Sequence, residues 1–396
     1  YEILRCLVGS EMCIRDRVYI SIMLWNKNFT LLAAANVFFH AAVYMQFPVL
    51  HRWMTDVWGY TGVEAACMTV VFALSLFIPG AFNSYLVDTF SRKKVCIRSM
   101  IVLGLATVAY SWVSAAWQIA ALRVLQGGAF GIALMSTGST LAIDAAPSHQ
   151  RNRANRAFTW SGIVGMLAGI LVGLTSVPHY GFKSLFCYSA MLLIPAITLI
   201  GYVKVSFRAP LNLPLCSFDR FLLFRAIPPG INLMAVPLVI GMLFVSVSDF
   251  SFYLCMGLGF LLYLLVRESV RRPVDGRIQV GIGQLLMIAG LMVLHHRAGI
   301  YPFYVSGGLI GLGAGFSIGQ FLQLMILLPL HCERGTGYHT YRLSWELALA
   351  FGILLGVYLQ VQGKDLCFAG LLIAIAGLLL YLAFTYRYFK KHYQKH

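Results

Sequence analysis

The sequence predicts an all-α integral membrane protein with twelve transmembrane helices in two six-helix bundles. Three observations carry that expectation: a composition poor in charge, a series of long apolar runs, and a one-sided placement of the basic residues. Apolar residues fill 59% of the 396 positions and charged residues only 11%. The surface of a soluble domain needs about 25% charged residues, so most of this surface faces something other than water. A bilayer core takes roughly 20 apolar residues per helical span. Within it each backbone N–H and C=O must pair inside its own helix or in a closed barrel. Runs as long as these read as helices, because barrel strands alternate over about ten residues.

Apolar runs fall at 29–50, 62–86, 95–116, 118–143, 157–178, 182–203, 228–247, 249–266, 278–295, 302–330, 343–361 and 366–386. The longest polar connection, 204–227, divides them six and six. It carries Pro210 and Pro214 and runs into Pro228 and Pro229, and proline ends helices by removing a donor and crowding the preceding turn. The expected organisation is an N-terminal bundle over 23–203, a cytoplasmic linker over 204–227, and a C-terminal bundle with a basic tail over 228–396. Residues 1–22 show neither helical period nor signal-peptide layout and resemble translated adapter sequence. They are set aside as a non-native or disordered extension, with Met23 as the expected start.

The net charge of +16 would suggest nucleic acid in a soluble protein. Here the basic residues sit in short loops between apolar runs. With both termini cytoplasmic, the inside set holds 22 Lys and Arg, the Arg92 to Arg98, Arg267 to Arg277 and Arg387 to Lys395 groups and the pair Arg334 and Arg342 among them. The outside set holds four: Arg52, Lys183, Arg297 and Lys364. That asymmetry follows the positive-inside rule and predicts a multi-pass protein of a bacterial inner membrane. Nine cysteines are scattered without a C-x-x-C or a His/Cys cluster, so neither a disulfide framework nor a metal site is expected. No cofactor is expected either.

Between spans two and three, Ser84 to Lys94 reads SYLVDTFSRKK. It resembles the G-x-x-x-D-x-x-G-R-[KR]-[KR] signature of the major facilitator superfamily, with both glycines replaced by serine. Span four carries Arg123, Gln126 and Gly127 in the string RVLQGG, similar to that family's R-x-x-Q-G. Asp144 stands where members place an acidic partner for the loop arginine, and residues 147–156 resemble the family's basic loop before span five. The resemblance implies a secondary transporter in which Asp88, Arg92 and Asp144 latch the halves together on the cytoplasmic side. In the second half the motif is degraded: Arg267 stands at the position of Asp88, with Glu268 beside it and a basic pair at Arg271 and Arg272.

Candidates for the central cavity come from stripes. Asn36, His40 and Tyr44 recur at i, i+4 and i+8 and share one helical face. Phe316, Gln320 and Gln323 form a comparable stripe in span ten. Arg123 is the one Lys or Arg deep within a span, where it costs roughly 2.5–3.5 kcal/mol and seeks a cavity or a partner. Gln126 lies on its face. His40 titrates near neutral pH in water and Glu346, about one turn inside span eleven, is a second protonation candidate. A hydrogen-bonded structural role stays open for each. Asp249 and Glu64 read as interfacial. Gly162, Gly165, Gly169 and Gly173 form a small-residue ladder in span five that lets helices approach closely. Drug-exporting members carry G-x-x-x-G-P there, and this chain has Ile170 in place of the proline.

Gly315, Ser317 and Gly319 match G-x-S-x-G, but inside an apolar helix without the strand and turn that a nucleophile elbow needs. No P-loop occurs, so ATP is not the direct driver. The expected function is movement of a small organic solute by alternating access, through proton-coupled efflux by antiport. Uptake of a sugar, organic acid or peptide-derived nutrient is the alternative, and a membrane sensor or intramembrane enzyme the reading from another class. The expected partners are a small-molecule substrate, protons and the lipid bilayer, with the chain a monomer.

Overall fold

The computed structural model describes residues 24–147, 150–204, 215–216, 221–269, 274–296, 299–329 and 334–393, and every described element is helical. Residues 1–22 and most of the 204–227 linker, both singled out above, lie outside the described residues, as do Arg271 and Arg272. Nine described helices are long and apolar enough to cross a membrane, ten when one bent pair counts as a single span. Their outward faces are apolar, with Leu105, Met191, Leu261, Leu265 and Leu379 exposed. Side chains of this kind on a surface fit a hydrocarbon solvent and not water.

Chain order runs α1 (Lys27–Tyr44), α2 (Leu50–Trp58), α3 (Gly62–Ser75), α4 (Asn83–Thr89), α5 (Arg92–Ala109), α6 (Ala116–Leu134), α7 (Ala142–Ala145) and α8 (Arg151–Tyr202). After the linker come α9 (Ile227–Leu233), α10 (Ala235–Ser246), α11 (Phe250–Ser269), α12 (Gly276–His296), α13 (Ile300–Leu327), α14 (Arg334–Val361), α15 (Leu366–Leu380) and α16 (Tyr386–His392). Where the sequence suggested one span over 29–50, α1 stops at Tyr44 and a short amphipathic helix, α2, follows. The Asn26 side chain caps α1 by accepting from the Phe29 N–H at 2.9 Å, which satisfies one of the orphan donors of the first turn.

Helix α8 is 52 residues long, about 78 Å if straight, more than twice a bilayer core. It is not straight. Gly181 has φ 74° and ψ 173°, left-handed backbone that glycine adopts without a Cβ clash. Both limbs touch the same stretch of α1. A Cβ on Gly169 would meet the Ala41 carbonyl at 2.4 Å, and the Ser189 hydroxyl donates to the Ala42 carbonyl at 2.6 Å. Residues twenty apart in a continuous helix would be about 30 Å apart, so the chain reverses at Gly181. The sequence runs 157–178 and 182–203 correspond to the two limbs.

Two irregularities have identifiable causes. Between α9 and α10 the axis bends by 42°. Pro237 cannot donate to the Leu233 carbonyl and its ring crowds that turn, which places the break at Met234. Between α6 and α7 the helix widens to π geometry over Met135–Leu141. The hydroxyls of Ser136, Thr137, Ser139 and Thr140 each donate to the carbonyl four residues back, at 2.6–2.8 Å, competing with the backbone ladder.

A buried charge cluster between α1 and α14

Two helices supply the centre of the molecule. On α1 the four-residue spacing stacks Asn36, His40 and Tyr44 on one face, all of them buried. On α14 the same spacing sets Arg342 and Glu346 one turn apart, with Trp345 between them. The Arg342 guanidinium is hydrogen-bonded to Glu346, and the two side chains are 2% and 0% exposed. The Tyr44 hydroxyl lies 2.8 Å from both Glu346 carboxylate oxygens and donates to them. In turn it accepts the Trp345 indole N–H at 3.0 Å. The same arginine reaches His40 Nε2 at 3.1 Å, while His40 Nδ1 sits 2.9 Å from the Asn36 carbonyl. A carbonyl only accepts and a guanidinium only donates, so Nδ1 carries the proton and Nε2 is the acceptor. His40 is thereby held as a neutral imidazole. Asn36 Nδ2 donates to the Phe158 carbonyl at 2.9 Å and to Ser161 at 3.0 Å, which ties this face of α1 to α8.

Arg342 corrects the sequence reading, which drew span eleven from residue 343 and counted Arg342 among the cytoplasmic loop cations. Helix α14 begins earlier, at Arg334, and Arg342 lies inside the protein, so the inside set loses one member. The signal was present in the chain as an Arg–Glu pair at i and i+4 on the edge of an apolar run. Trp345 and Tyr341 were also missed, because an aromatic residue in an apolar helix carries no mark of a polar task.

A second polar group surrounds Arg123, which is 4% exposed. Its Nη1 donates to Gln126 Oε1 at 3.0 Å and its guanidinium stands 5.3 Å from the centre of the Phe72 ring. Gln126 Oε1 also accepts from Tyr110, while Gln126 Nε2 donates to Thr107 at 2.9 Å. Gly127 completes the motif sterically: a Cβ there would lie 2.3 Å from the Phe72 carbonyl, so only glycine lets α6 close on α3. Arg123 has no carboxylate partner among the described residues.

The remaining predicted residues are placed as follows. Arg92 Nη1 meets Asp144 Oδ2 at 2.5 Å with both side chains largely buried, joining α5 to α7 within the first half of the chain. Asp88 is in α4, but its side chain lies outside the described residues. Gln320 packs against Gly276, where a Cβ would approach its Nε2 at 2.3 Å. Gln323 is half-buried. Neither glutamine is joined to the central cluster by a described hydrogen bond.

The first and second halves of the chain touch at both ends of the bundle. Near the basic end, Gly138 faces the Tyr338 ring, the Ser139 carbonyl faces Gly335, and Phe77 packs edge-on against Phe221. Near the other end Gly62 faces Val357, and Arg52 is hydrogen-bonded to Ser248. Between these closures lies an apolar cavity of about 50 Å³, walled by side chains that include Ile163, Met166, Ile240, Phe244, Phe260 and Ile318, with Tyr44 and Trp345 on its rim. Sites for organic ligands measure about 300–1,000 Å³. The cavity must therefore expand to take one, which requires one of the two closures to part.

A helical bundle whose described residues put apolar side chains on the outer surface and charges at its ends and centre defines a polytopic membrane protein built around a central site. Residues 32–266 match the Major Facilitator Superfamily, and the chain belongs to that family. Similar proteins include the multidrug resistance protein MdtG of Salmonella paratyphi A, 26% identical over 174 residues that cover 43% of this chain and 42% of the relative. The niacin transporter NiaP of Acinetobacter baylyi is 24% identical over 157 residues, 40% of this chain and 34% of the relative. The chain thus spans less than half the length of these curated relatives. The crystal structure of the human organic anion transporter MFSD10 (TETRAN) superposes with a TM-score of 0.68 at 14% identity, covering 89% of this chain and 98% of that one. At that identity the likeness speaks for the fold.

Proposed function

We propose that this protein is a secondary transporter of the bacterial inner membrane, carrying a small organic solute by alternating access and coupling it to protons at Glu346. In this reading twelve helices form two six-helix bundles over 23–203 and 228–396, with both termini cytoplasmic. The two limbs of α8, the bent α9–α10 pair and α1 complete that count. The observation that carries the proposal is the Arg342–Glu346 pair, buried between helices of the two halves beside the closed cavity. A carboxylate paired with a guanidinium and bonded to Tyr44 across the interface ties protonation to the contact that must break when the halves part. His40 positions Arg342 and does not exchange protons itself.

The likeness to MdtG supports efflux as the direction. A second reading, uptake of an organic acid with protons, is favoured by the arginine at the centre of the site. Purified protein in proteoliposomes should show solute flux that collapses when an imposed pH gradient is dissipated. Flux indifferent to the gradient would remove the proton coupling, and retained turnover of a bond-making or bond-breaking reaction without flux would remove the transporter.

In this scheme the Arg92–Asp144 pair, with Asp88 in the same latch, holds the basic end closed. It does so by fixing α7 and the widened turn before it, whose Gly138 and Ser139 meet Tyr338 and Gly335 of the second half. Because the two side chains keep 12% and 17% of their exposure and water screens the pair in part, Asp144→Asn weakens that closure by about 1 kcal/mol, a shift of roughly fivefold in the balance of open and closed forms. A cysteine in place of the buried Thr336 at the same closure should react faster with a membrane-impermeant maleimide in the Asp144→Asn background. Unchanged labelling would show that the pair is no latch.

A further inference from the structure

We propose that the solute is an amphipathic organic anion, its carboxylate taking the place of Glu346 on Arg342 when Glu346 is protonated. This rests on the transporter reading above, takes its second direction, uptake of an organic acid with protons, in place of efflux, and adds the charge and binding mode of the substrate. The first ground is the charge of the interior. Among the described residues the buried ionised groups are Arg123, Arg342 and Glu346, two guanidiniums against one carboxylate, since His40 is held neutral and the buried His339 beside Arg342 has no hydrogen-bond partner to hold a charge. An interior with this excess repels a cationic solute and attracts an anion, and the low dielectric inside a bundle strengthens both effects. The second ground is unused donor capacity. Arg342 Nε and the Tyr341 hydroxyl are both buried with no hydrogen-bond partner, while Arg342 Nη2 is the atom engaged by Glu346 and His40. Buried donors left without acceptors are costly and fit a carboxylate that arrives with the solute.

The third ground is the apolar cavity, whose rim residues Tyr44 and Trp345 are the groups hydrogen-bonded into the cluster. A hydrocarbon or aromatic body in that cavity would place its acid group beside Arg342. The titratable and charged groups around Glu346 are Arg342, Tyr338 and Tyr341 on its own helix, and Tyr44 and His40 on α1. The walls contributed by α8, α10, α11 and α13 at the cavity are apolar. Glu346 is the one carboxylate in this set, so a proton on it frees the positive charge of Arg342, and an arriving anion is what compensates that charge. The step balances: one proton adds to the Glu346 carboxylate, its bond to Arg342 breaks, and one solute carboxylate forms the new bond. Proton and anion enter together, so the loaded site has the charge of the empty one and the two are co-transported. Exchange of a cation against protons would need the opposite charge balance.

The test uses full-length purified protein and matched probes of one shape: 1-naphthoate, 1-naphthylmethylammonium and 1-naphthalenemethanol. Thermal stability reports binding, and tracer uptake into proteoliposomes reports flux. The expected result is that naphthoate binds, the ammonium does not, and the alcohol binds weakly. Measured from about pH 5.5 to pH 7.5, naphthoate affinity should fall as pH rises, by no more than tenfold per unit for one linked proton. Arg342→Gln should weaken naphthoate about tenfold or more, while Glu346→Gln should keep naphthoate binding and flatten its pH dependence. The comparison of the three probes on the unaltered protein stands even if a variant fails to fold. Preference for the ammonium, or equal affinity for anion and alcohol across that pH range, overturns the proposal. Flux of the ammonium alone would overturn the anion site and leave the transporter standing, whereas naphthoate binding without flux of any probe would do the reverse.

Discussion

Glu346→Gln should melt at a much lower temperature than the unaltered protein, and a second substitution should restore most of the loss. Glu346 and Arg342 are almost wholly buried. Taking each charge out of water costs several kcal/mol, and only the partner offsets it. Removing the carboxylate leaves the guanidinium buried with a neutral amide, a neutral imidazole and no counter-ion among the described residues, at a cost of about 3–5 kcal/mol. Arg342→Met alone should cost a similar amount, because Glu346 then retains only the Tyr44 hydroxyl. Combined with Glu346→Leu, Arg342→Met removes both charges in an apolar setting, where such replacements are often neutral or stabilising. The double variant should therefore recover most of the stability in a thermal melt and carry no solute. A double variant less stable than either single one would mean that the pair is a net asset to the fold. Normal transport by it would end the assignment of the site.

This cycle also shows where the sequence was informative. Membrane class and family were legible, because the bilayer forces long apolar runs and the R-x-x-Q-G motif has steric reasons that survive in isolation: Gly127 must be glycine against the Phe72 carbonyl. The α1 stripe was legible too, since Asn36, His40 and Tyr44 obey helical spacing and the structure buries all three. The partner of that stripe was not. Arg342 lies 302 residues from His40, and nothing in a single chain marks which helix faces which. A hydropathy boundary falls where charge begins, so a charged residue at the end of a buried helix is cut off and assigned to the loop. Gln320 failed in the opposite way: its spacing was helical, but its face turns to Gly276. Spacing fixes which residues share a face and leaves open where the face points.

Gly169→Val should abolish transport while leaving a folded protein. The ladder in the first limb of α8 brings backbone against backbone: a Cβ on Gly165, Gly169 or Gly173 would lie 2.3, 2.4 or 2.1 Å from the carbonyls of Val37, Ala41 or Met45. Those carbonyls belong to α1 and the turn after it and cannot rotate away as a flexible side chain could. Ordinary contact needs about 1 Å more, so α1 must move, and overpacking of this kind costs about 1–3 kcal/mol. Helix α1 also carries His40 and Tyr44, whose bonds to Arg342 and Glu346 are 3.1 and 2.8 Å long. Hydrogen bonds weaken steeply over such a displacement, so the charge cluster loses its neighbours on α1 even though nothing in it was changed. The control is Gly281 in α12, where a Cβ meets nothing within 4 Å. Gly281→Ala should leave flux intact and raise stability by about 0.5–1 kcal/mol through helix propensity. Measured side by side, the two variants separate a packing contact that positions the site from a glycine that faces outward. Equal flux from both would show that the position of α1 does not govern the cluster.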